Sequence, residues 1–398
     1  MFVLKNIKKD FYGGSTSAVV ALPLALAFGV TSGVGAISGL WGAIILGFFA
    51  SLVGGTKKQI SGPTSPMTIV MSGIVLTHRN EFDLIFTIVI LAGIIQILFG
   101  ILKIGKYIQH VPSPVISGFM TGIGCIIIII QLGPMLGIQL QGKISDILQN
   151  LMNINNINNH SLIIGMIGLC ISVIYPKKLN DFIPSPLICL FIGTLLSYFI
   201  FKNAIILGTI PIGFPKLISF TIPVSKLPFM IFTSFILALL GSLDSLLTSL
   251  IADKATNTKH NSNRELIGQG IGNTIAGIFG AIPGAGATMR TMVNIKSGGQ
   301  SNLSGMIHSI LLLGLVLGLA PLVKIIPNAI LAGILIKIGW DIIDWGYIKN
   351  YEKGKKTDYC LMILVLFLTI FTDLIIAVFS GILLYWTIIF VKKSSDSK

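Results

Sequence analysis

Asp244 stands inside the run Leu239-Leu-Gly-Ser-Leu-Asp-Ser-Leu-Leu-Thr248, with apolar residues on both sides. A carboxylate at that depth in a membrane segment is costly unless it is paired or solvated, so it is a functional candidate by default. Thr248 follows four residues later and shares its helix face. A carboxylate oxygen, a hydroxyl and nearby backbone carbonyls are what a hard cation such as sodium takes as ligands. A proton could serve the same carboxylate. The plainer alternative is an aspartate hydrogen-bonded to a neighbouring helix for structure alone.

Two further stretches have the chemistry of an anion site. In Ser61-Gly-Pro-Thr-Ser-Pro-Met67, two prolines and a glycine end any preceding helix and suit the start of the next. Thr64 or Ser65 is then the N-cap. A helix that begins inside the membrane offers free N–H groups and the positive end of its dipole to an anion. Pro283-Gly-Ala-Gly-Ala-Thr288 repeats the device, with glycines that let the backbone approach a ligand. Two opposed half-helix starts would cradle an anion without a fixed cation; a kink used only for packing is the competing interpretation. Arg290, two residues after Thr288, either adds positive field there or pairs with a carboxylate.

The other ionisable groups point elsewhere. Asp253 and Arg264 flank the loop after the eighth segment and suit an end-cap or ion pair, while Asp341, Asp344 and Asp373 fall at segment ends. Five histidines and four cysteines are scattered without ligand spacing, so neither a metal centre nor a disulfide framework is expected. No P-loop is present and nothing points to an enzyme or an organic cofactor.

These groups need elements to hold them. The 398-residue chain is 53% hydrophobic and 11% charged, with a mean hydropathy of +0.90. A soluble domain carries roughly a quarter of its residues as charges, which excludes an ordinary globular protein. Apolar runs of about 17–22 residues match the length that crosses a bilayer as helix. Fourteen segments are expected, near 14–33, 36–54, 62–76, 84–102, 112–131, 160–175, 187–206, 229–252, 265–282, 284–296, 303–322, 328–344, 359–372 and 374–391. The third and tenth are too short to span. The net charge of +14 is topogenic and does not call for a nucleic acid partner: with both termini cytoplasmic, 20 of the 28 Lys and Arg fall inside, 6 outside and 2 within segments.

The halves echo one another. Val111-Pro-Ser-Pro-Val-Ile-Ser-Gly118 opens the fifth segment and Ile326-Pro-Asn-Ala-Ile-Leu-Ala-Gly333 the twelfth, each with a further glycine six residues on, Gly124 and Gly339. Seven segments per half is an odd number, so residues 1–206 and 229–391 are expected as inverted repeats. Short Pro/Gly-interrupted segments at matching places in such repeats point to a midplane transport site.

Gln59-Ile-Ser-Gly-Pro-Thr64, Ala21-Leu-Pro-Leu-Ala-Leu-Ala-Phe-Gly29, Gly268-Gln-Gly-Ile-Gly-Asn273 and Pro283-Gly-Ala-Gly-Ala-Thr-Met-Arg290 resemble the SulP anion transporters over essentially the whole chain. The likeness is greatest to the BicA-type sodium-dependent bicarbonate subgroup, which carries an aspartate in the eighth segment. The resemblance implies an all-α membrane fold in which a core (segments 1–4 and 8–11) moves against a gate (5–7 and 12–14), with two half-helices meeting at the midplane. It implies sodium held by Asp244, Thr248, Gly286 and Thr288. It further implies bicarbonate between Thr64, with Ser65, and the Ala287 region, against Phe28 and near Arg290. Most members continue into a cytoplasmic STAS domain; the sequence here ends at Lys398, so residues 1–398 are expected to be the transmembrane domain without it.

The expected function is secondary active uptake of a small inorganic anion across an inner membrane, by sodium-coupled bicarbonate symport with alternating access. Sulfate or dicarboxylate transport coupled to sodium or protons is the alternative, and a passive anion channel or voltage-responsive element a different class. Membrane lipid is the obligate surrounding, and a homodimer is compatible with the resemblance.

Overall fold

The computed structural model describes residues 7–78, 81–108, 112–138, 140, 144–152, 157–176, 179, 185–207, 217–349, 356–372 and 374–395. Fourteen helices take up the fourteen expected segments. The first seven are α1 (Ile7–Thr31), α2 (Ala36–Val53), α3 (Ser65–Thr77), α4 (Phe82–Ile101), α5 (Ser113–Leu136), α6 (Asn159–Ile174) and α7 (Ser185–Phe199). The second seven are α8 (Leu227–Thr256), α9 (Ser262–Ile278), α10 (Thr288–Lys296), α11 (Asn302–Val323), α12 (Asn328–Ile342), α13 (Lys356–Phe371) and α14 (Leu374–Ser395). Short helices at Gly105–Ile108, Ile144–Met152 and Trp345–Lys349 lie between them. Asp373 and the topology residues Lys5, Arg79, Lys143, Lys177, Lys178, Lys216, Lys353, Lys355 and Lys398 lie outside the described residues.

Helix boundaries follow local chemistry. α3 and α5 begin with a proline in the first turn, where a missing N–H costs nothing. Gly137 after α5 and Asn257 after α8 take the left-handed conformation that closes a helix end. The fifth and twelfth segments begin alike: Pro112 and Pro327 occupy the cap position with extended backbone, at φ −61°, ψ 135° and φ −74°, ψ 136°. α3 and α10 are half-helices of 13 and 9 residues, about 20 and 14 Å long at 1.5 Å per residue and too short to cross a bilayer.

The packing carries the inverted repeat. Within each body a shift of seven elements relates the main pairings: α4 on α9 becomes α11 on α2, α1 on α11 becomes α8 on α4, α5 on α13 becomes α12 on α6, and α2 on α9 and α5 on α12 map onto themselves. The contacts fall into two bodies, α1–α4 with α8–α11 and α5–α7 with α12–α14. Between these, packing is sparser and rests chiefly on α1 against α7 and α12, and α3 against α5. Large apolar side chains stay exposed on the outer faces of α7, α13 and α14, among them Phe191, Phe199, Phe367 and Trp386. These are the faces that lipid covers, since only helices with internally satisfied backbones tolerate that medium.

One element departs from the all-helical expectation. The stretches before the two half-helices pair as antiparallel strands, β1 (Ser61–Gly62) and β2 (Ala285–Gly286), with Ser61 opposite Gly286 and Gly62 opposite Ala285. The Ala287 amide extends the ladder by donating to the Ile60 carbonyl at 2.8 Å. Helix ends buried this deep would strand their peptide groups; crossing the two strands satisfies them.

Candidate functional site

β1 and β2 hand the chain directly to α3 and α10, so both half-helices start at the same crossing. Thr64 takes the N-cap position of α3 with extended backbone, but its hydroxyl makes no capping bond. Thr64 is thus the expected N-cap by position, but with Pro66 in the first turn its Oγ1 is left buried and unpaired. Ala287 holds the matching position before α10. Thr64, Ser65 and Ala287 are all buried, and Phe28 is buried on α1, the helix that packs against both α3 and α10.

α8 supplies the polar wall beside the crossing. Thr248 Oγ1 donates to the Gly286 carbonyl at 2.9 Å and lies 2.8 Å from Thr288 Oγ1. Ser245 Oγ accepts from the Gly286 amide at 3.0 Å. Three of the four oxygens expected around sodium thus converge. The fourth residue, Asp244, sits one turn earlier on the same helix, and its Oδ2 is buried without a hydrogen-bond partner. The Thr64 hydroxyl and the Arg290 guanidinium are polar neighbours of this carboxylate. A buried acceptor with no donor, beside two hydroxyls and a carbonyl, is a donor set that suits a hard cation.

Arg290 is 2% exposed and lies behind the α3 start, where its Nη2 donates to the Pro63 carbonyl. Of the two roles expected for it, the ion pair is not formed: the partner of Nη2 is a backbone carbonyl. Its Nη1 is unpaired. The positive charge therefore backs the crossing from the core side.

A small, partly open cleft lies between the two bodies, with Pro66 of α3, Val115 and Phe119 of α5, and Leu243 and Asp244 of α8 among its walls. Among the described residues, Asp244 is the one charged group that lines it. Phe28, Thr64, Ala287 and Arg290 do not line this cleft. Asp244 therefore faces the gate, while the half-helix starts lie deeper in the core.

Several polar residues at the site carried no signal that singled them out. Glu265 is 2% exposed on α9 and binds the loop before β1. His308 is buried on α11 with Nδ1 3.1 Å from Ser17 Oγ. Asp253 and Arg264 do not pair with each other: Asp253 binds His260 at 2.7 Å, and Arg264 Nε donates to the Val53 carbonyl. Asp341 pairs with Lys337 one turn away, and Asp344 accepts from the Tyr347 amide.

The fold and this crossing define a multi-pass membrane transporter rather than an enzyme. The profile of the sulfate permease family matches residues 7–365, and the chain belongs to that family. It is 45% identical to the bicarbonate transporter BicA of Picosynechococcus sp. over 391 residues, 95% of this chain and 69% of that protein. BicA of Synechocystis sp. is 44% identical with the same coverage. The solved transmembrane domain of a cyanobacterial BicA superposes with a TM-score of 0.87 at 43% identity, covering 94% of this chain and 98% of that one. Murine SLC26A9 shares the fold at a TM-score of 0.88 and 20% identity, covering 98% of this chain and 70% of its own.

Proposed function

We propose that the protein takes up bicarbonate by sodium-coupled symport, alternating between inward and outward access as the core moves against the gate. The observation that carries this reading is the convergence of Thr248 Oγ1, the Gly286 carbonyl and Thr288 Oγ1 one turn from Asp244, whose Oδ2 is buried without a partner. Sodium binds among these oxygens and offsets the Asp244 charge. The anion binds between the α3 and α10 starts, at Thr64, Ser65 and Ala287, against Phe28. Arg290 contributes field from behind through its hold on the Pro63 carbonyl. The two bicarbonate transporters that share nearly half of this sequence support the choice of anion.

Cation and anion are linked in this scheme. A sodium ion beside the half-helix starts raises anion affinity, and by reciprocity a bound anion raises sodium affinity by the same factor. The charge asymmetry of the loops supports an orientation in the inner membrane with both termini cytoplasmic.

Purified protein in liposomes is loaded against radiolabelled bicarbonate, with an inward gradient of sodium, of potassium or of protons. Accumulation driven by sodium alone is expected. Accumulation of sulfate in preference to bicarbonate would replace the substrate, and uptake that follows protons and ignores sodium would replace the coupling ion.

A further inference from the structure

Glu265 is a fully buried carboxylate that no step above uses. Both of its oxygens are saturated. Oε2 accepts from the amides of Gly55 and Thr56, each at 2.9 Å. Oε1 accepts from Gln59 Nε2 and Gln269 Nε2, each at 2.8 Å. No lysine or arginine pairs with it among the described residues; its charge is held by four N–H donors alone. A buried charge sustained in this way is expensive unless each bond is made, so the segments supplying the donors are fixed relative to one another.

Those segments are the ones that build the crossing. Gly55, Thr56 and Gln59 belong to the loop from α2 into β1. Gln269 passes the connection on by donating to Ser61 Oγ at 2.6 Å. Gln59 turns its other end to α8, where its Oε1 accepts from Ser249 Oγ at 2.8 Å, and Thr56 Oγ1 lies 2.8 Å from the same hydroxyl. Ser249 follows Thr248 directly. Gln59 also lies flat against Gly286, closely enough that a Cβ on Gly286 would collide with its amide nitrogen. The Gly286 carbonyl and the Thr248 hydroxyl are thus braced from behind by one amide, and that amide is oriented by Glu265.

We infer that Glu265 is a positioning residue for the cation site: through Gln59 and Ser249 it sets the spacing of the Gly286 carbonyl and Thr248. The inference rests on the proposed sodium coupling. Replacing the carboxylate by an amide turns one acceptor into a donor, so at least two of the four N–H groups lose their partner. Flipping Gln59 to compensate would reverse its bond to Ser249, whose hydroxyl would then accept from Nε2 and turn its hydrogen to the Ser245 carbonyl. Partners that orient metal ligands from outside the binding shell commonly change affinity by about 10–100-fold.

The test is the sodium dependence of bicarbonate uptake in liposomes for wild type, Glu265→Gln and Ser249→Ala, each normalised to folded protein in the membrane. Glu265→Gln is expected to raise the half-saturating sodium concentration by roughly tenfold or more, with the maximal rate within about twofold of wild type. Ser249→Ala, which keeps the carboxylate, is expected to raise it by a few fold, and it decides the matter if Glu265→Gln does not insert. A lower maximal rate with unchanged half-saturation, the outcome of a purely structural role, would overturn the inference, as would an unchanged curve for Ser249→Ala in that event. A wild-type rate indifferent to sodium would overturn the coupling itself, and the positioning role with it.

Discussion

Gly124 of α5 and Gly339 of α12 face each other across the gate, each lying where the other's side chain would be. A Cβ on Gly124 would come within 2.5 Å of the Gly339 carbonyl oxygen, and a Cβ on Gly339 within 2.8 Å of the Gly124 carbonyl oxygen. The contact is reciprocal, as a pseudo-two-fold axis between inverted repeats requires. Small residues let helix backbones approach this closely where the bilayer provides no hydrophobic drive. Gly124→Ala should therefore lower the thermal stability of the solubilised protein, by about 1–3 kcal/mol if the helices are forced apart. Gly314→Ala on α11, where a new Cβ meets nothing within 4 Å, should be neutral or slightly stabilising. Melting followed by intrinsic fluorescence separates the two; equal melting temperatures would remove the close contact.

Bulk at the half-helix starts should abolish transport without affecting insertion. Thr64 and Ala287 are both buried at the crossing, so tryptophan at either would crowd the α3 and α10 starts. Thr64→Trp and Ala287→Trp should reach the membrane in normal amount and fail to accumulate bicarbonate. Normal uptake by Thr64→Trp would move the anion site away from the crossing.

The Glu81–Lys226 pair ties the start of α4 to the start of α8 outside the spanning segments, at 2.5 Å. The bond to Lys226 holds the Glu81 carboxyl below its usual range. A carboxylate with a depressed pKa stabilises the folded state above its unfolded pKa and loses that contribution as pH falls through the folded value. Both side chains are partly exposed, at 35% and 42%, so the effect is small and salt-sensitive. The melting difference between wild type and Glu81→Gln should be present at neutral pH and shrink below the ordinary carboxylate range. A gap that widens on acidification would contradict this.

Orientation can be read from labelling of single cysteines placed in a cysteine-free background. Lys202 and Lys259 are both exposed, one after α7 and the other in the loop between α8 and α9. A membrane-impermeant thiol reagent should label Lys202→Cys in intact cells and Lys259→Cys only after permeabilisation. The reverse pattern would invert the topology.

Much of the fold was legible because the bilayer imposes a length and a hydropathy on each segment. The proline-to-glycine spacing of 112–118 and 327–333 gave the repeat, and Pro63, Pro66 and Pro283 gave the interrupted segments. Asp244 stood out because a lone carboxylate among leucines is conspicuous. The antiparallel pairing of Ser61 with Gly286 was not legible, since two-residue strands leave no periodicity and join residues more than two hundred positions apart. Glu265 escaped notice because it lies near the beginning of α9, where an acidic residue reads as a favourable first-turn charge. Only its burial against the 55–59 loop reveals its bonds. Arg290 was legible as a charge near the anion site but not as a ligand of the Pro63 carbonyl, which depends on a fold-level crossing.

The most direct test of coupling at the Asp244 site is bicarbonate uptake measured against external sodium at fixed pH, for wild type and Asp244→Asn side by side. The asparagine keeps the shape and removes the charge that a mid-membrane cation offsets. The wild-type rate should rise and saturate with sodium, while Asp244→Asn should show a flattened curve and a greatly reduced rate at every concentration. Thr248→Ala, which removes one neutral oxygen, should fall between them. A sodium curve for Asp244→Asn that superimposes on wild type would place the cation site elsewhere.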